Sequence, residues 1–423
     1  MNALGFFLYR FLLMPLSVSL LPFAALFNQK IRLGLRLRRE RHEALKSAVR
    51  PIWIHAASGE FEYAKPVIRE MKSRFPHIPI VVSYFSPSFA NSVKQFPGVD
   101  LAIALPLDLP GPCRSFLNKY RPRLLLVART DLWPEMLAQC ERANTPVVIF
   151  SYTQKEFRSS LKRAFMNWML RWVERIYCVT TSDLNNLLAL ELNVQVEVLG
   201  DTRYDQVQFR LSHPKPLPPA LVPDHSVPCF VAGSTWTQDE DVLLPGLCDF
   251  LKRGQLRLVL VPHEPTVEHL AQLQTKLKAL GLSAALYSEG INWSQHSILL
   301  VDQVGVLAEL YLWAQFAFVG GSFRRSVHSV MEALGAGCLT FVGPFHHNNR
   351  EAMGFKGLQL GEFHGVEVID SDDQLRSVME RALHHPASLK EFSQKLRTEF
   401  TARLGASRHL VDKLSPMIKS TEE

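Results

Sequence analysis

The sequence predicts an α/β protein in which two doubly wound parallel sheets follow one another along the chain. Two series of short apolar runs alternate with amphipathic stretches, and a proline-rich segment separates the two series. Apolar runs rich in β-branched residues are typical of parallel strands that are covered on both faces. Their alternation with helices indicates Rossmann-like units. The length of 423 residues is ample for two such cores.

The first series predicts a Rossmann-like domain over residues 46–205. Helical patterns separate its strands, for example at 61–74, 133–142 and 158–172. The predicted strands are 51–57, 78–85, 101–105, 124–128, 146–151, 175–180 and 196–199.

The proline-rich segment at 206–227 is predicted to be a linker that is neither helix nor inner strand. A second Rossmann-like domain is expected at 228–404, followed by a C-terminal helix and tail at 405–423. Two such domains place a ligand cleft at the carboxyl ends of both sheets. The predicted strands are 229–233, 256–262, 297–301, 316–320 and 338–342, and the last helices are 373–384, 388–402 and 405–418.

Residues 1–45 are predicted to attach the chain to a membrane. A 17-residue stretch without a charge, 11–27, precedes a basic run at 32–41. A span needs about 20 apolar residues, and Pro15 and Pro22 would interrupt a straight helix. Leucines that alternate with arginines at 33–37 favour an anchor lying in the membrane plane. A single span and a buried core helix are the alternatives.

The charge distribution points to anionic lipid rather than nucleic acid. Residues 1–50 hold nine Lys or Arg and two Glu, which accounts for the whole net charge of +7. A basic cluster after an apolar stretch is typical of the cytoplasmic, anionic face of a bilayer. The rest of the chain is neutral overall, so no nucleic-acid partner is expected. The six cysteines form no C-x-x-C pair, which argues against a disulfide scaffold or a zinc site.

Two carboxylates follow predicted strands of the first half. Glu60 comes after the turn at Ser58 and Gly59, where it could act as a general base or simply favour the start of a helix. Asp131, beside Arg129, follows the fourth strand and could likewise cap a helix. We predict both carboxylates as catalytic residues, because sites gather at the carboxyl ends of such strands.

Small and polar residues predict an anion site in the second half. Gly233 and Ser234 join a strand to a helix, where backbone N–H groups can approach an anion. After Gly320-Gly321, His328 and Glu332 are expected on one helix face because they are four residues apart. His263-Glu264 is no zinc motif, because H-E-x-x-H would need histidine at 267. No metal site is therefore predicted.

In their order these motifs resemble those of the Kdo (3-deoxy-manno-octulosonate) transferases of lipopolysaccharide synthesis, which have the GT-B fold. The resemblance covers nearly the whole chain, and its motifs are specific together rather than singly. They are S-G-E at 58–60, T-D-L-W-P at 130–134, a G-D-x-x-Y-D-like stretch at 200–205, G-S-T at 233–235, V-P at 261–262, G-x-L-x-x-L-Y at 305–311, F-V-G-G-S at 318–322, H-x-x-x-E at 328–332, and G-P with Asn348 at 343–348.

The resemblance implies inverting transfer of Kdo from CMP-Kdo to a lipid A precursor at the cytoplasmic face of the bacterial inner membrane. Glu60 aligns with the catalytic base of the family, and Glu332 is expected to bond ribose hydroxyls. No cofactor or metal is expected, because the leaving group carries a single nucleotide phosphate. The residues predicted to bind the donor are Gly233, Ser234, Pro262, His263, Gly305, Val306, Leu307, Gly320, Gly321, Ser329, Val330, Met331, Glu332 and Asn348.

Several positions depart from the family pattern and mark a diverged member. Arg129 stands where the family usually has Glu, His263 where it has Arg, and Val306 where it has Glu, while 325–332 is poor in glycine. These departures leave two alternatives open. One is a GT-B enzyme with a different nucleotide sugar or acceptor, and the other is a catalytically weakened relative that binds nucleotide or lipid.

Overall fold

The structure, a computed structural model, describes residues 3–40, 45, 47, 49–218, 221, 227–290, 292–293 and 295–419. It divides into two compact units, Met1–Gln206 with Arg403–Glu423, and Val207–Ala402. Each unit contains a parallel seven-stranded sheet. The predicted α/β class with two Rossmann-like sheets is confirmed.

A helical segment opens the chain: α1 (Ala3–Leu8), a π-helical turn (Tyr9–Leu13) and α2 (Met14–Phe27), followed by α3 (Gln29–Arg39). Pro15 lies in the first turn of α2, where a missing N–H costs nothing, and Pro22 lies inside α2. The segment thus stays helical through both prolines, with an irregular π-helical turn directly before α2. The stretch Gly5–Phe27 spans 23 residues at a mean hydropathy of 1.8, which is long and apolar enough to cross a membrane.

The first sheet has a switch point at its centre, where the carboxyl ends of two adjacent strands lie side by side. Its strands are β1 (Ile52–His55), β2 (Ile80–Tyr84), β3 (Leu101–Ala104), β4 (Leu124–Ala128), β5 (Val147–Tyr152), β6 (Arg175–Cys178) and β7 (Gln195–Val198). Their order is β3-β2-β1-β4-β5-β6-β7. The strand order reverses between β1 and β4, and ligands bind at such a switch point, outside the carboxyl ends of the strands.

The helices that follow these strands are α4 (Phe61–Arg74), α5 (Ala90–Lys94), α6 (Pro110–Tyr120), α7 (Pro134–Arg142), α8 (Ser160–Leu170), α9 (Thr181–Leu188) and α10 (Arg203–Ser212). The last of them corrects the predicted linker, since residues 206–212 are helical. The chain can stay helical there because Pro214 is the first proline of the segment. Residues 219–220 and 222–226 of that linker lie outside the described part of the chain.

The second sheet repeats the design. Its strands are β8 (Cys229–Thr235), β9 (Arg257–Pro262), β10 (Ala284–Leu286), β11 (Ile298–Leu300), β12 (Phe316–Val319), β13 (Leu339–Val342) and, after the small hairpin β14 (Gln359–Leu360) and β15 (Phe363–His364), β16 (Val366–Val368). The order β10-β11-β9-β8-β12-β13-β16 puts the switch point between β8 and β12.

The remaining helices complete both units. They are α11 (Thr237–Lys252), α12 (Val267–Ala279), α13 (Leu307–Leu310), α14 (Met331–Gly335), α15 (Arg350–Lys356), α16 (Asp372–His384), α17 (Pro386–Thr401) and α18 (Ala406–Lys419). The last helix, α18, returns to the first unit, where Leu410 and Leu414 join Ile52 and Ile54 in one core. Trp53 points to the opposite face and joins a second core, as period-two alternation requires.

Candidate active site

Glu60 lies in the turn between β1 and α4, at the switch point of the first sheet. Its Oε2 accepts hydrogen bonds from the backbone N–H and the hydroxyl of Ser58, both at 3.0 Å. The serine therefore positions the carboxylate instead of capping the helix, which has no side-chain cap bond. An ionised carboxylate has about four lone-pair positions, so this half-buried side chain keeps the capacity to accept a proton.

Asp131 lies beside the end of β4 and is bonded to the last residue of β1. His55 is fully buried, and its Nε2 lies 2.8 Å from Asp131 Oδ2. The other ring nitrogen, Nδ1, lies 2.9 Å from the hydroxyl of Ser83 on β2. The Trp133 indole donates a second bond to Asp131 Oδ2 at 3.1 Å. Burial raises the pKa of Asp131, but the bonds from His55 and Trp133 outweigh it, so the pKa lies below its ordinary value.

Arg129, the residue that replaces a family glutamate, has a left-handed backbone with a φ of 66°. Its guanidinium donates to the Tyr63 hydroxyl at 2.6 Å and to the Thr153 hydroxyl at 3.0 Å. The same guanidinium lies 5.1 Å from the centre of the Tyr63 ring. Arg129 is thus a fixed cation at the carboxyl end of β4, near the position of Asp131 in the sequence.

In the second unit, the glycines at the switch point are required by close approach. A Cβ at Gly320 would lie 2.0 Å from the carbonyl oxygen of Ser234, and one at Gly233 would lie 2.2 Å from the Tyr311 hydroxyl. Ser234 itself has a φ of 55°. Only glycine at 320 allows the segment after β12 to pass this close to the end of β8.

One buried carboxylate, Asp239 on α11, holds these two segments together. It accepts hydrogen bonds from the backbone N–H groups of Gly321 at 2.7 Å, Trp236 at 2.9 Å and Phe323 at 3.0 Å. Burial raises the pKa of Asp239, while these three bonds oppose the rise. The glycine loop is therefore held by α11 as well as by its own backbone, since the N–H groups of 324–326 donate to the Gly321 carbonyl.

Beside these glycines lies a pocket of about 240 Å³. Glu332 lines it, accepting from Arg210 at 3.2 Å and from the Ser329 hydroxyl at 2.9 Å. Its other lining residues are Ser234, Gly305, Leu307, Ala308, Tyr311, Val319 and His328. Six residues predicted to bind the donor are thus brought together: Ser234, Gly305, Leu307, Ser329 and Glu332 line the pocket, and Gly233 backs Tyr311 and Leu307.

Three rings and a guanidinium stack at the edge of this pocket. The ring of His263 lies 4.4 Å from His328 and 4.8 Å from Trp236. The guanidinium of Arg324 lies 3.8 Å from the centre of the Trp236 ring. Burial, and then the neighbouring His263, lower the pKa of His328 below its ordinary value. The stack therefore offers flat ring faces beside one fixed cation.

The structure corrects the helix predicted to carry both His328 and Glu332. That helix, α14, begins only at Met331, so His328 precedes it. Both residues line the pocket all the same. Val330 and Met331 are buried in the core, so only their backbone groups are available to a ligand.

Four other predicted donor residues lie outside the pocket lining. The Asn348 side chain pairs with both backbone groups of Val327, at 3.2 and 3.1 Å, and so fixes the loop before Ser329. Gly321 is held by Asp239. Pro262 ends β9, and Val306 precedes α13. These residues support the pocket walls, and their roles in binding stay predictions.

Sequence reasoning assigned no role to His55, Asp239 and Arg210, which the structure places at the two switch points. His55 belongs to the H-A-A-S-G-E stretch, but a buried histidine is usual in a core, so no signal singled it out. Arg210 lay inside the predicted linker. Among the residues that the structure describes, no group of three or more His, Cys, Asp or Glu side chains is placed to hold a metal ion.

Two Rossmann-like units, with polar side chains at the switch point of the first and a glycine-rich loop at that of the second, define a protein of the GT-B fold. Solved structures share this fold. UDP-GlcNAc 2-epimerase from Neisseria meningitidis matches 86% of this chain and 99% of its own at a TM-score of 0.61 and 14% identity. A glycosyltransferase from Rickettsia africae matches 88% of this chain and 100% of its own at a TM-score of 0.57 and 10% identity.

Sequence comparison shows which family of enzymes this chain resembles. Residues 30–206 match the model of the 3-deoxy-D-manno-octulosonic-acid transferase (kdotransferase) family. The chain is 26% identical to the 3-deoxy-D-manno-octulosonic acid transferase of Haemophilus influenzae over 98% of its own length and 99% of the relative's. Residues 30–206 thus match the domain of this family, and the chain is similar to its glycosyltransferases over nearly its whole length, as the resemblance of its motifs predicted.

Proposed function

We propose that this enzyme transfers Kdo from CMP-Kdo to a hydroxyl of a lipid A precursor, with inversion, in lipopolysaccharide synthesis. The observation that carries the proposal is the match of residues 30–206 to the family model together with Glu60, which a serine holds at the switch point of the first sheet. Kdo is proposed as the sugar because the Haemophilus influenzae relative is named for it. The CMP donor and the lipid acceptor are proposed from the motif resemblance.

In the proposed reaction, Glu60 takes the proton of the acceptor hydroxyl. The acceptor oxygen then forms a bond to the anomeric carbon of Kdo as the bond to the phosphate of CMP breaks, and the electron pair leaves with the phosphate. Attack from the face opposite the phosphate inverts the configuration. Asp131 is the second proposed catalytic residue, oriented by His55 and Trp133, and the reaction is proposed to need no metal.

The pocket of the second unit is proposed to hold the nucleotide. A Glu332 carboxylate with two bonds already made has about two lone-pair positions left for ribose hydroxyls. Arg210 is the cation that lines this pocket, and a fixed cation stabilises a leaving phosphate. The ring stack at His263 offers flat faces on which a base can pack.

Replacing Glu60 with Gln tests the proposal, because the amide keeps the shape of the side chain but cannot accept the proton. Loss of a general base should lower turnover about 10²–10⁴-fold, while CMP affinity and melting temperature stay close to those of the wild type. The matched control is Glu62→Gln, two residues on, where the carboxylate pairs with Lys65 on the surface of α4. Wild-type turnover in Glu60→Gln would sink the assignment.

We also propose that residues 3–39 hold the enzyme in the plane of the inner membrane, on the cytoplasmic face. One face of the helical segment is docked, since Arg10 donates two bonds to Glu135 at 2.6 and 2.7 Å, and the Tyr9 hydroxyl donates to Asp108 at 2.6 Å. The other face exposes large apolar side chains. They are Phe7, Leu8, Phe11, Leu12, Leu13, Leu16, Leu20, Phe23, Leu26 and Phe27.

Extraction of membranes separates an in-plane anchor from a span. Basic residues of α3 attract anionic lipid, and salt screens that attraction over about 8 Å. High salt should therefore weaken binding of the full-length protein, and carbonate should complete its release. Resistance to both treatments would favour a single span instead.

A different nucleotide is the second candidate, and the His263 substitution favours it. Where the family usually has an arginine, this chain has a histidine in a ring stack. Calorimetric titration of the purified protein with CMP, UDP and GDP decides between the candidates. Tightest binding of CMP supports the Kdo donor, and tightest binding of UDP or GDP supports another sugar.

A further inference from the structure

A second, apolar pocket lies in the first unit beneath the helices of the proposed anchor. Its volume is about 420 Å³, which is within the range of about 300–1,000 Å³ that small-molecule sites occupy. The inner faces of α2 and α3 form one wall, and the segments after β2, β3 and β4 form the other. Its lining is predominantly apolar and includes Val18, Leu21, Leu35, Phe85, Leu105 and Trp133.

The pocket opens at a surface that is both apolar and basic. Its lining includes the exposed side chains of Ser17, near the start of α2, and of Lys30, in the first turn of α3. The helix that forms its roof, α2, turns its other face outward with exposed residues such as Leu20 and Phe23. A hydrocarbon chain that leaves a bilayer at this face would thus enter between apolar walls, with a cation at the mouth for an anionic headgroup.

The opposite wall of the pocket adjoins the candidate catalytic residues. The Trp133 indole stacks on Phe85, with the ring centres 5.3 Å apart and the planes inclined by 20°. The same indole donates its N–H to Asp131, which His55 also holds. One side chain therefore separates an apolar pocket from a carboxylate at the switch point of the sheet.

We propose that this pocket binds one acyl chain of the lipid acceptor and so positions the acceptor sugar beside Asp131. The assignment rests on the proposed function, since it takes the acceptor to be a lipid. A pocket walled by carbon atoms is poorly suited to water, whereas every methylene that enters it from water gains about fourfold in affinity. The enzyme then recognises the acceptor by its acyl chain as well as by its hydroxyl.

Filling the pocket tests the proposal through a comparison of two acceptors. Val18→Phe adds a ring on the inner face of α2, and the matched control Leu20→Phe adds the same ring on its outer, exposed face. For a short-chain acylated acceptor presented as monomers in water, Val18→Phe should lower kcat/KM about 60-fold if the ring displaces three methylenes. Both variants should use a chemically deacylated acceptor as well as the wild type does, and both should melt with the wild type.

Binding can be measured without catalysis. A lysophospholipid with a brominated acyl chain should quench the fluorescence of Trp133, identified by the loss of that signal in Trp133→Phe. The acylated acceptor should displace the probe, and the deacylated acceptor should not. The probe should quench the fluorescence of Val18→Phe less than that of Leu20→Phe.

The outcomes separate this proposal from the proposed function. If Val18→Phe and Leu20→Phe use the acylated acceptor equally well, or if the probe does not quench Trp133, the acyl pocket is refuted while transfer stands. Displacement by phospholipid but not by the acylated acceptor would refute it in favour of a bulk lipid chain. If the wild type transfers sugar to neither acceptor, the proposed function fails, and the quenching result still decides whether a chain occupies the pocket.

Discussion

Removal of the Glu332 carboxylate is expected to weaken nucleotide binding by an amount that the structure bounds. The side chain is about one-fifth exposed and accepts bonds from Arg210 and Ser329. A hydrogen bond to a charged group contributes about 1.5–3 kcal/mol. If Glu332 bonds one ribose hydroxyl, Glu332→Ala should therefore weaken CMP binding about 10- to 150-fold.

Glu332→Gln separates charge from shape in the same site. The amide oxygen can still accept from ribose, but a neutral bond contributes only about 0.5–1.5 kcal/mol. The expected loss in CMP affinity is thus about 1 kcal/mol, or roughly fivefold. Arg210 also loses its charged partner, yet its side chain is more than one-third exposed, so water screens most of that effect.

The assay is calorimetric titration of each purified variant with CMP, beside its thermal melt. Glu391→Ala is the matched control, because this exposed carboxylate on α17 pairs only with its helical neighbour Lys395 among the ion pairs of the described residues. Glu60→Gln should bind CMP as the wild type does, because the proposed base belongs to the acceptor side. If Glu332→Ala binds every nucleotide as tightly as the wild type, the pocket does not hold the donor, and a relative without donor binding becomes the better interpretation.

Two further predictions concern stability. Arg10→Met should lower the free energy of unfolding by about 3–5 kcal/mol, because it leaves the fully buried carboxylate of Glu135 without its charged partner. In denaturant melts, the exposed control Arg36→Met should stay within about 0.5 kcal/mol of the wild type. Equal losses in the two variants would contradict the pairing of Arg10 with Glu135. The pKa of Asp131 is lower in the folded chain than its ordinary value, so its contribution to stability is present above about pH 4 and is lost as pH falls through the folded pKa. Asp131→Asn should remove that part of the acid-side fall in melting temperature, and an unchanged acid profile would count against the bonds from His55.

The strands of both sheets were predictable because each is a short, continuous apolar run. The predicted strand at 124–128 coincides with β4, and the predicted helix at 61–74 coincides with α4. The missed strands β10 and β16 have three residues each, A-A-L and V-E-V, and lack the apolar run rich in Ile, Leu and Val by which the equally short β11 was predicted. The predicted linker began too early because a helix can run up to the first proline.

The candidate site was predictable where a motif sits at a strand end and not where side chains meet across the fold. Glu60 and Gly320 follow strands directly and stand out for that reason. Asp239 lies inside a helix, 82 residues before the Gly321 amide that it binds. A local sequence pattern does not predict a hydrogen bond between residues so far apart in the chain. The prediction of a helix through His328 was wrong, because two residues four positions apart can also line one pocket when a loop joins them.

The docking of the N-terminal segment also sets an order of events during synthesis. Tyr9 binds a residue 99 positions later in the chain, and Arg10 binds one 125 positions later. At about 5–20 residues per second, the ribosome needs roughly 6–25 s to make Glu135 after Arg10. Throughout that interval the apolar helix has been made but Glu135, the partner of Arg10, has not. A nascent chain therefore passes through a stage in which all faces of this helix are open to a targeting factor or to lipid, and folding of the first unit brings that stage to an end.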